Sequence, residues 1–396
     1  MRACWLVPDD YGGGVISVAQ ACCREAAANG HDATLLTLLP PSGHAAEFGG
    51  VRVESLNAAP ADATSPRRFI KWLEDNPQDV VFLNGCEQVD GTPPFIPQGT
   101  RAIYVVHDTA PRYFEAAIRH EAALDAIVAV SESVAARFRD RLRRPEKLFV
   151  IHNGTVFPCE YANAVRNEDL LFLGGDKHIK GAGDVLALWP HLLEQGFEGR
   201  LHWFGSVGQP IQRRISALPE ADRIALHGRV ARRRIFEIAN NSSALLMLSR
   251  VEPFGMATVE CMGMGCGVAG WDIDTGTKEI VLIPEEGRLA PLGDYQALAT
   301  TAISMLEHGN GERQAMAQRV RERFSAAAMW TRYEAMLEQV MEGSRAPRAA
   351  PGTMPPDYVP PQRLFQKLPE WVRGPIREVV SRSARLGYIL RDFRGR

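Results

Sequence analysis

Short apolar runs alternating with amphipathic stretches set the pattern of this chain. Residues 3–7 form an apolar run of strand length, and the turn at 11–14 leads into a helical period over 15–28. The strand signal returns at 33–38, 80–83, 103–106, 126–130 and 147–151. The alternation then restarts, with strands expected at 170–173, 201–204, 224–226, 244–248 and 268–269 and helices at 183–195, 232–240 and 258–264. Strands that recur between helices predict parallel sheets wound with right-handed crossovers. The fold class is therefore α/β, with two Rossmann-like domains facing across a cleft. The expected boundaries are 1–155 and 165–342, with a polar linker over 153–167.

The last stretch breaks this pattern. Apolar residues at 316, 320, 324, 329, 330, 333, 336, 337 and 340 predict one closing helix over 313–341. Pro at 347, 351, 355, 356, 360 and 361 then predicts an extended linker. Beyond it, Val372, Ile376, Val379, Ser383, Leu386, Leu390 and Phe393 lie on one helical face, and six arginines between Arg373 and Arg394 flank or oppose it. Region 343–396 reads as a Pro-rich linker and a basic amphipathic tail. From Ser344 on, eleven basic residues face four acids, a net of +7 on a chain of net −2. A stripe of this kind suits an anionic membrane surface, with 363–396 as the contact; docking on the protein's own first domain or on a second subunit is the alternative.

Composition narrows the classes. At 45% hydrophobic and 23% charged over 396 residues, the chain is globular, and its near-zero net charge offers no field for nucleic acid. Seven cysteines, without metal-ligand spacing, read as buried thiols of a reducing compartment. No apolar run reaches the ~18 residues that span a bilayer, and the N-terminal run is too short for a signal peptide. The expected location is cytoplasmic, with the tail placing the protein peripherally on the inner membrane face.

The strongest chemical constellation is SRVEPFGMATVE, residues 249–260. It follows one expected strand and enters a helix. Glu252 and Glu260 are separated by seven residues, with Gly255 between them. A helix start offers free N–H groups to a phosphate, and the two acids would accept hydrogen bonds from hydroxyls on either side. The residues alone equally allow two solvated surface acids.

EPFGMATVE resembles the E-x7-E signature of retaining glycosyltransferases of the GT-B fold, most closely family 4. YGGGV from Tyr11, VVHD at 105–108, AIVAVSE at 126–132, VIHNG at 150–154, LFLGGDKHIKG at 171–181, LHGRV at 226–230 and GTKEIV at 276–281 resemble further landmarks in the family's order. Together they cover roughly residues 1–340. The resemblance implies transfer of a sugar from a nucleotide-diphosphate-sugar, with a UDP- or GDP-sugar as donor, to a hydroxyl of a saccharide or lipid-linked acceptor. It further implies retention, no cofactor, no metal, and a place in cell-surface glycan or lipopolysaccharide synthesis. Lys180 would neutralise the departing diphosphate. Glu260 would hold the ribose, supported by Glu279. Glu252 would bind the transferred sugar, with Phe254, Gly255, Met256 and Ala257 supplying backbone donors. His107 would touch the sugar ring, oriented by Asp108 unless that acid caps the next segment. Gly12, Gly13 and Gly14 would let backbone approach the ligand, and Gly228, Arg229 and Val230 would face the base. Gly175 stands where the family usually has an arginine, so one expected cation is missing, and Lys177 is the available substitute.

Rival patterns are weaker. Asp272-Ile273-Asp274 imitates a metal-binding D-x-D but falls in a loop after a strand. The run at 11–15 is not a dinucleotide fingerprint, which argues against a nicotinamide dehydrogenase. A non-catalytic nucleotide-sugar-binding subunit and an epimerase of the same fold are the remaining alternatives.

Overall fold

A computed structural model describes residues 1–10, 13–41, 51–58, 62–158, 167–348, 351–352, 354–355 and 358. The chain divides into two compact units, Met1–Gly154 with everything from Ala326 on, and Thr155–Ser325.

In the first unit, β1 (Arg2–Val7), α1 (Gly14–Ala28), β2 (Asp32–Thr37), β3 (Arg52–Ser55), α2 (Ser65–Asp75), β4 (Val80–Leu83), β5 (Arg101–Val106), α3 (Pro111–Arg119), β6 (Ala126–Ala129), α4 (Glu132–Ala135) and β7 (Leu148–Val150) follow in order. Seven parallel strands lie as β3-β2-β1-β4-β5-β6-β7. Every residue of β4, β5 and β6 is buried. Strands covered on both faces need apolar side chains on both, hence continuous apolar runs rather than alternation.

The second unit contains β8 (Leu170–Leu173), α5 (Ala182–Glu194), β9 (Leu201–Phe204), α6 (Gln209–Ser216), β10 (Ile224–Gly228), α7 (Arg232–Asn241), β11 (Ala244–Met247), α8 (Met256–Met262), β12 (Gly267–Trp271), α9 (Thr277–Ile280), β13 (Gly287–Ala290), α10 (Tyr295–Leu306) and α11 (Asn310–Phe324). Its six parallel strands lie as β10-β9-β8-β11-β12-β13. In both sheets the order grows one way from the first strand, then the other. Such a reversal leaves a crevice at the carboxyl ends of the two central strands.

The single closing helix expected over 313–341 is two. After α11 the chain is extended at Ser325 (φ −66°, ψ 157°), where it pairs with Thr155, and α12 (Ala326–Glu342) follows. The apolar stripe shows why, since it skips from 324 to 329 and loses helical phase. α12 belongs to the first unit, not to a domain over 165–342. Its Trp330 lies 6.1 Å from Trp5 and its Tyr333 sits edge-on to Phe82 at 5.7 Å.

The expected linker after 343 is likewise partly built into the first unit. Arg348 is buried, donating to Asp125 at 2.7 Å and to the carbonyls of Thr100, Pro97 and Ala123. Asp125 also accepts from Arg101, at 3.0 Å, and from the backbone N–H groups of Ala102 and Ala346. The strap continues to Tyr358, whose ring packs on Phe95 and whose carbonyl accepts from Arg67. The amphipathic stripe at 363–396 lies outside the described residues. Cys4, Cys22, Cys23, Cys86, Cys261 and Cys266 are free and buried, as expected.

Asp125 neutralises two buried guanidinium groups, so Asp125→Ala is expected to destabilise the first unit by about 3–5 kcal/mol. Urea unfolding measures this; a loss under about 1 kcal/mol would show that the strap is not held there.

Candidate active site

β8 and β11 are paired neighbours where the second sheet reverses, so the loops leaving them flank its crevice. The loop after β8 ends in a short 3-10 turn, His178–Lys180, and then Gly181. The loop after β11 carries Arg250 and Glu252. Lys180 Nζ donates to Glu252 Oε2 at 2.7 Å, with the lysine side chain 34% and the glutamate 13% exposed.

Backbone contacts bring these two loops together. Gly181 has φ +89°, and a Cβ there would lie 2.5 Å from both Leu248 Cβ and Leu248 O. The Arg250 N–H donates to the Ile179 carbonyl at 2.8 Å, and the Gly276 N–H to the Glu252 carbonyl at 2.8 Å. A Cβ on Gly276 would lie 2.4 Å from Phe254 Cα, so the loop before α9 also requires a bare backbone. Arg250 fixes the glutamate loop from beneath, through two bonds to Asp184 at 2.6 and 2.8 Å, with the Tyr295 hydroxyl on the same carboxylate at 2.8 Å.

Gly255 starts α8 at φ +115°, with no side-chain cap and no acid in the first turn. Phe254 is buried, while Met256 and Ala257 are half-buried. Glu260 lies on α8, its side chain 14% exposed, and accepts from Arg232 at 2.5 Å. Burial pushes its carboxyl above the usual range, against the pull of Arg232. Arg232 also donates to Thr155 Oγ1.

At the edge strand, Gly228 (φ +65°) accepts from the Gly205 N–H at 2.7 Å. Arg229 is exposed and Val230 half-buried. The neighbouring His227 stacks on Phe204 at 4.6 Å and meets His202 at 2.9 Å, with Asp169 behind it at 3.1 Å.

Gly175 explains the missing arginine. With φ +54°, a Cβ there would lie 2.8 Å from the Ser206 carbonyl oxygen, so the loop has no room for any side chain. Its N–H donates to Phe204 and its carbonyl accepts from Trp203 Nε1, both at 2.9 Å. Lys177 is exposed and has no side-chain bond to either acid. Asp272 follows β12 and pairs with Lys278 at 2.5 Å.

His107, Gly13 and Gly14 belong to the first unit. Gly13 caps α1 at φ +82°, with open space where a Cβ would be, and Gly14 is exposed; Gly12 lies outside the described residues. His107 follows β5, is 8% exposed, and places Nε2 2.9 Å from Asn84 Oδ1. Burial lowers its pKa to about 4. Asp108 accepts from the Ala110 N–H at 2.9 Å, a cap on the segment leading to α3.

Sequence reasoning missed Arg232, Arg250 and Asn84. Arg232 sits in a basic run that reads as a solvated helix face, Arg250 adjoins Glu252 without a signal of its own, and Asn84 ends a strand as turn residues commonly do.

Residues 12–156 match the family described as Glycosyltransferase Family 4, and residues 167–308 match Glycosyl transferases group 1. This chain belongs to the family-4, group 1 glycosyltransferases. A curated relative, N-acetyl-alpha-D-glucosaminyl L-malate synthase of Bacillus anthracis, is 23% identical over 207 residues, 50% of this chain. The chain spans about half of that relative's length, 53%. Among solved structures, Anabaena HepE in complex with UDP and glucose aligns with a TM-score of 0.70 at 16% identity, covering 86% of this chain and 100% of that one. A variant of S. aureus TarM with fondaparinux, alpha-GlcNAc-glycerol and UDP aligns at 0.69 and 9% identity, covering 85% and 99%. Sucrose-phosphate synthase from Thermosynechococcus elongatus aligns at 0.66 and 18%, covering 87% and 100%. These likenesses give the glycosyltransferase its GT-B fold.

Two neighbouring glycines test the backbone argument. Gly181→Ala is expected to cost about 1–3 kcal/mol through its left-handed φ alone, and, if these loops form the donor site, to weaken donor binding by displacing the Lys180 turn from the Glu252 loop. Gly183 lies in α5 with nothing within 4 Å of its Cβ position. Gly183→Ala should instead stabilise by roughly 0.5–1 kcal/mol. Thermal unfolding and donor titration of both variants check the contrast; equal effects would defeat it.

Proposed function

We propose that this glycosyltransferase moves a sugar from a nucleoside-diphosphate donor to a hydroxyl, with retention at the anomeric carbon and without a metal. The observation that carries the reading is the Lys180–Glu252 pair at the reversal point of the second sheet. A partly exposed ion pair is worth only about 0–1 kcal/mol, so a diphosphate can replace Glu252 as the partner of Lys180 at little cost. Glu252, released, accepts from hydroxyls of the transferred sugar.

The transition state gathers positive charge on the sugar ring and negative charge on the leaving phosphate. Lys180 and the uncapped N–H groups near Gly255 oppose the second of these. Glu260 accepts from the ribose, held by Arg232. Among the described residues no second carboxylate stands beside the Lys180–Glu252 pair as a nucleophile, so attack on the face of the leaving phosphate, which takes up the acceptor's proton, fits better than double displacement.

A UDP- or GDP-sugar is the proposed donor. UDP is supported by the neighbours whose complexes contain it, HepE and TarM. The acceptor is a hydroxyl of a saccharide or lipid-linked saccharide, in cell-surface glycan synthesis on the cytoplasmic side. Among the described residues no helix is long and apolar enough to cross a membrane. The basic region 363–396 is the proposed contact with an anionic inner surface.

Thermal stabilisation by a panel of UDP-, GDP- and ADP-sugars identifies the donor. Lys180→Ala, Glu252→Ala and Glu260→Ala should each stay folded and lose transfer by roughly 10²-fold or more, with the rate of the unaltered enzyme unchanged by EDTA. Full activity in all three would sink the assignment. Donor binding without turnover in the unaltered protein would instead mark a binding subunit. For the tail, a chain ending at Tyr358 keeps the Arg348 clasp intact. It should lose binding to phosphatidylglycerol vesicles that the full chain shows; undiminished binding would remove the tail from the membrane reading.

A further inference from the structure

In the first sheet the reversal falls between β1 and β4, and Asn84 follows β4 directly. Its side chain is 4% exposed. The amide nitrogen donates to the carbonyls of Leu6 at 3.1 Å and Phe82 at 3.2 Å. Turning the amide over would set its oxygen against those two carbonyl oxygens. Its orientation is therefore fixed, and Oδ1 can only accept. The partner of Oδ1 is His107 Nε2, at 2.9 Å, at the end of the adjacent strand β5. A neutral imidazole carries one proton, and a bond to a pure acceptor places it on the bonded nitrogen.

We propose that Asn84 is the positioning residue that holds His107 in its Nε2–H tautomer, so that Nδ1 faces the substrate as a hydrogen-bond acceptor. This rests on the glycosyltransferase reading of His107 for its catalytic half, and on the first unit alone for its geometry. A ring fixed in this way accepts from a sugar hydroxyl through Nδ1 and gives no proton to the substrate. Burial supports the neutral form, and no charged group contributes to the lowering of the pKa. Asp108, the nearest acid in sequence, accepts from the Ala110 N–H. The positioning role therefore falls to a neutral amide, which fixes the tautomer without stabilising an imidazolium.

Long-range proton–nitrogen NMR on full-length protein labelled at histidine nitrogen, with His107 assigned by its loss in His107→Gln, reads the tautomer directly. The expected result is the Nε2–H pattern at neutral pH. Asn84→Leu removes the acceptor, and should shift His107 towards the Nδ1–H form and lower kcat at least about tenfold, the direction a wrong tautomer imposes, with donor KM nearly unchanged. Asn84→Asp keeps an acceptor and adds a negative charge. It should preserve the tautomer, raise the titration midpoint of His107, and move the acid limb of the rate profile upward with it. An Nδ1–H pattern in the unaltered protein, or a folded Asn84→Leu with unchanged tautomer and rate, overturns the proposal. A folded His107→Ala with full transfer and the expected tautomer in its parent overturns the catalytic half alone.

Discussion

Bare backbone at the crevice of the second sheet is the constraint on which the candidate site depends. Gly181 packs against Leu248, and Gly276 against Phe254, at separations that no Cβ allows. Those contacts draw three loops, from three adjacent strands, into one hydrogen-bonded surface. Lys180 and Glu252 meet because their main chains are already fixed, through the Arg250 bond to Ile179 and the Gly276 bond to Glu252. A pair placed by backbone needs little side-chain ordering when a ligand arrives, which is the economy expected of a preorganised site.

The charges on this surface are matched within it. Glu252 is matched by Lys180, and Glu260 by Arg232. Each acid of the E-x7-E run thus takes its cation from a different segment, Lys180 from the turn after β8 and Arg232 from the start of α7, which follows β10. The two pairs are alike in exposure, each a cation about a third exposed on an acid that is largely covered. They differ in electrostatics, since burial pushes the Glu260 carboxyl above its usual range and Arg232 pulls it back. Under the proposed reading, Lys180 exchanges Glu252 for phosphate, and Arg232 stays on Glu260 to keep it a charged acceptor.

What the sequence shows of the fold follows burial. β4, β5 and β6 are covered on both faces and appear as unbroken apolar runs, while the edge strands β3, RVES, and β13, GRLA, carry too much polarity to stand out. The break at Ser325 is legible only as a skipped position, because both helices bury apolar stripes and differ in the unit that receives them. At the site, Lys180 and Glu252 are legible through an ordered set of motifs. Arg232 and Asn84 are not, since their roles arise from partners 28 and 23 residues away that only the folded chain supplies. Gly175 is the converse case. The sequence shows a lost cation, and the structure shows a tight approach to Ser206 that forbids any side chain.

The strap after α12 alters how the basic tail must be understood. A free linker would let the tail explore a wide volume, and its charge would act as a diffuse attraction. Arg348 is instead buried on Asp125, and Tyr358 is held at Phe95, so the chain is delivered to one place on the first unit before the basic region begins. Under the proposed membrane reading, a tether anchored that closely would hold the first unit near the surface that the tail binds. The clasp is made of buried charge, and the basic tail is a separate feature, read from the sequence alone. Under the proposed membrane reading, salt should weaken the contact of 363–396 with an anionic surface while leaving the Arg348–Asp125 contact in place.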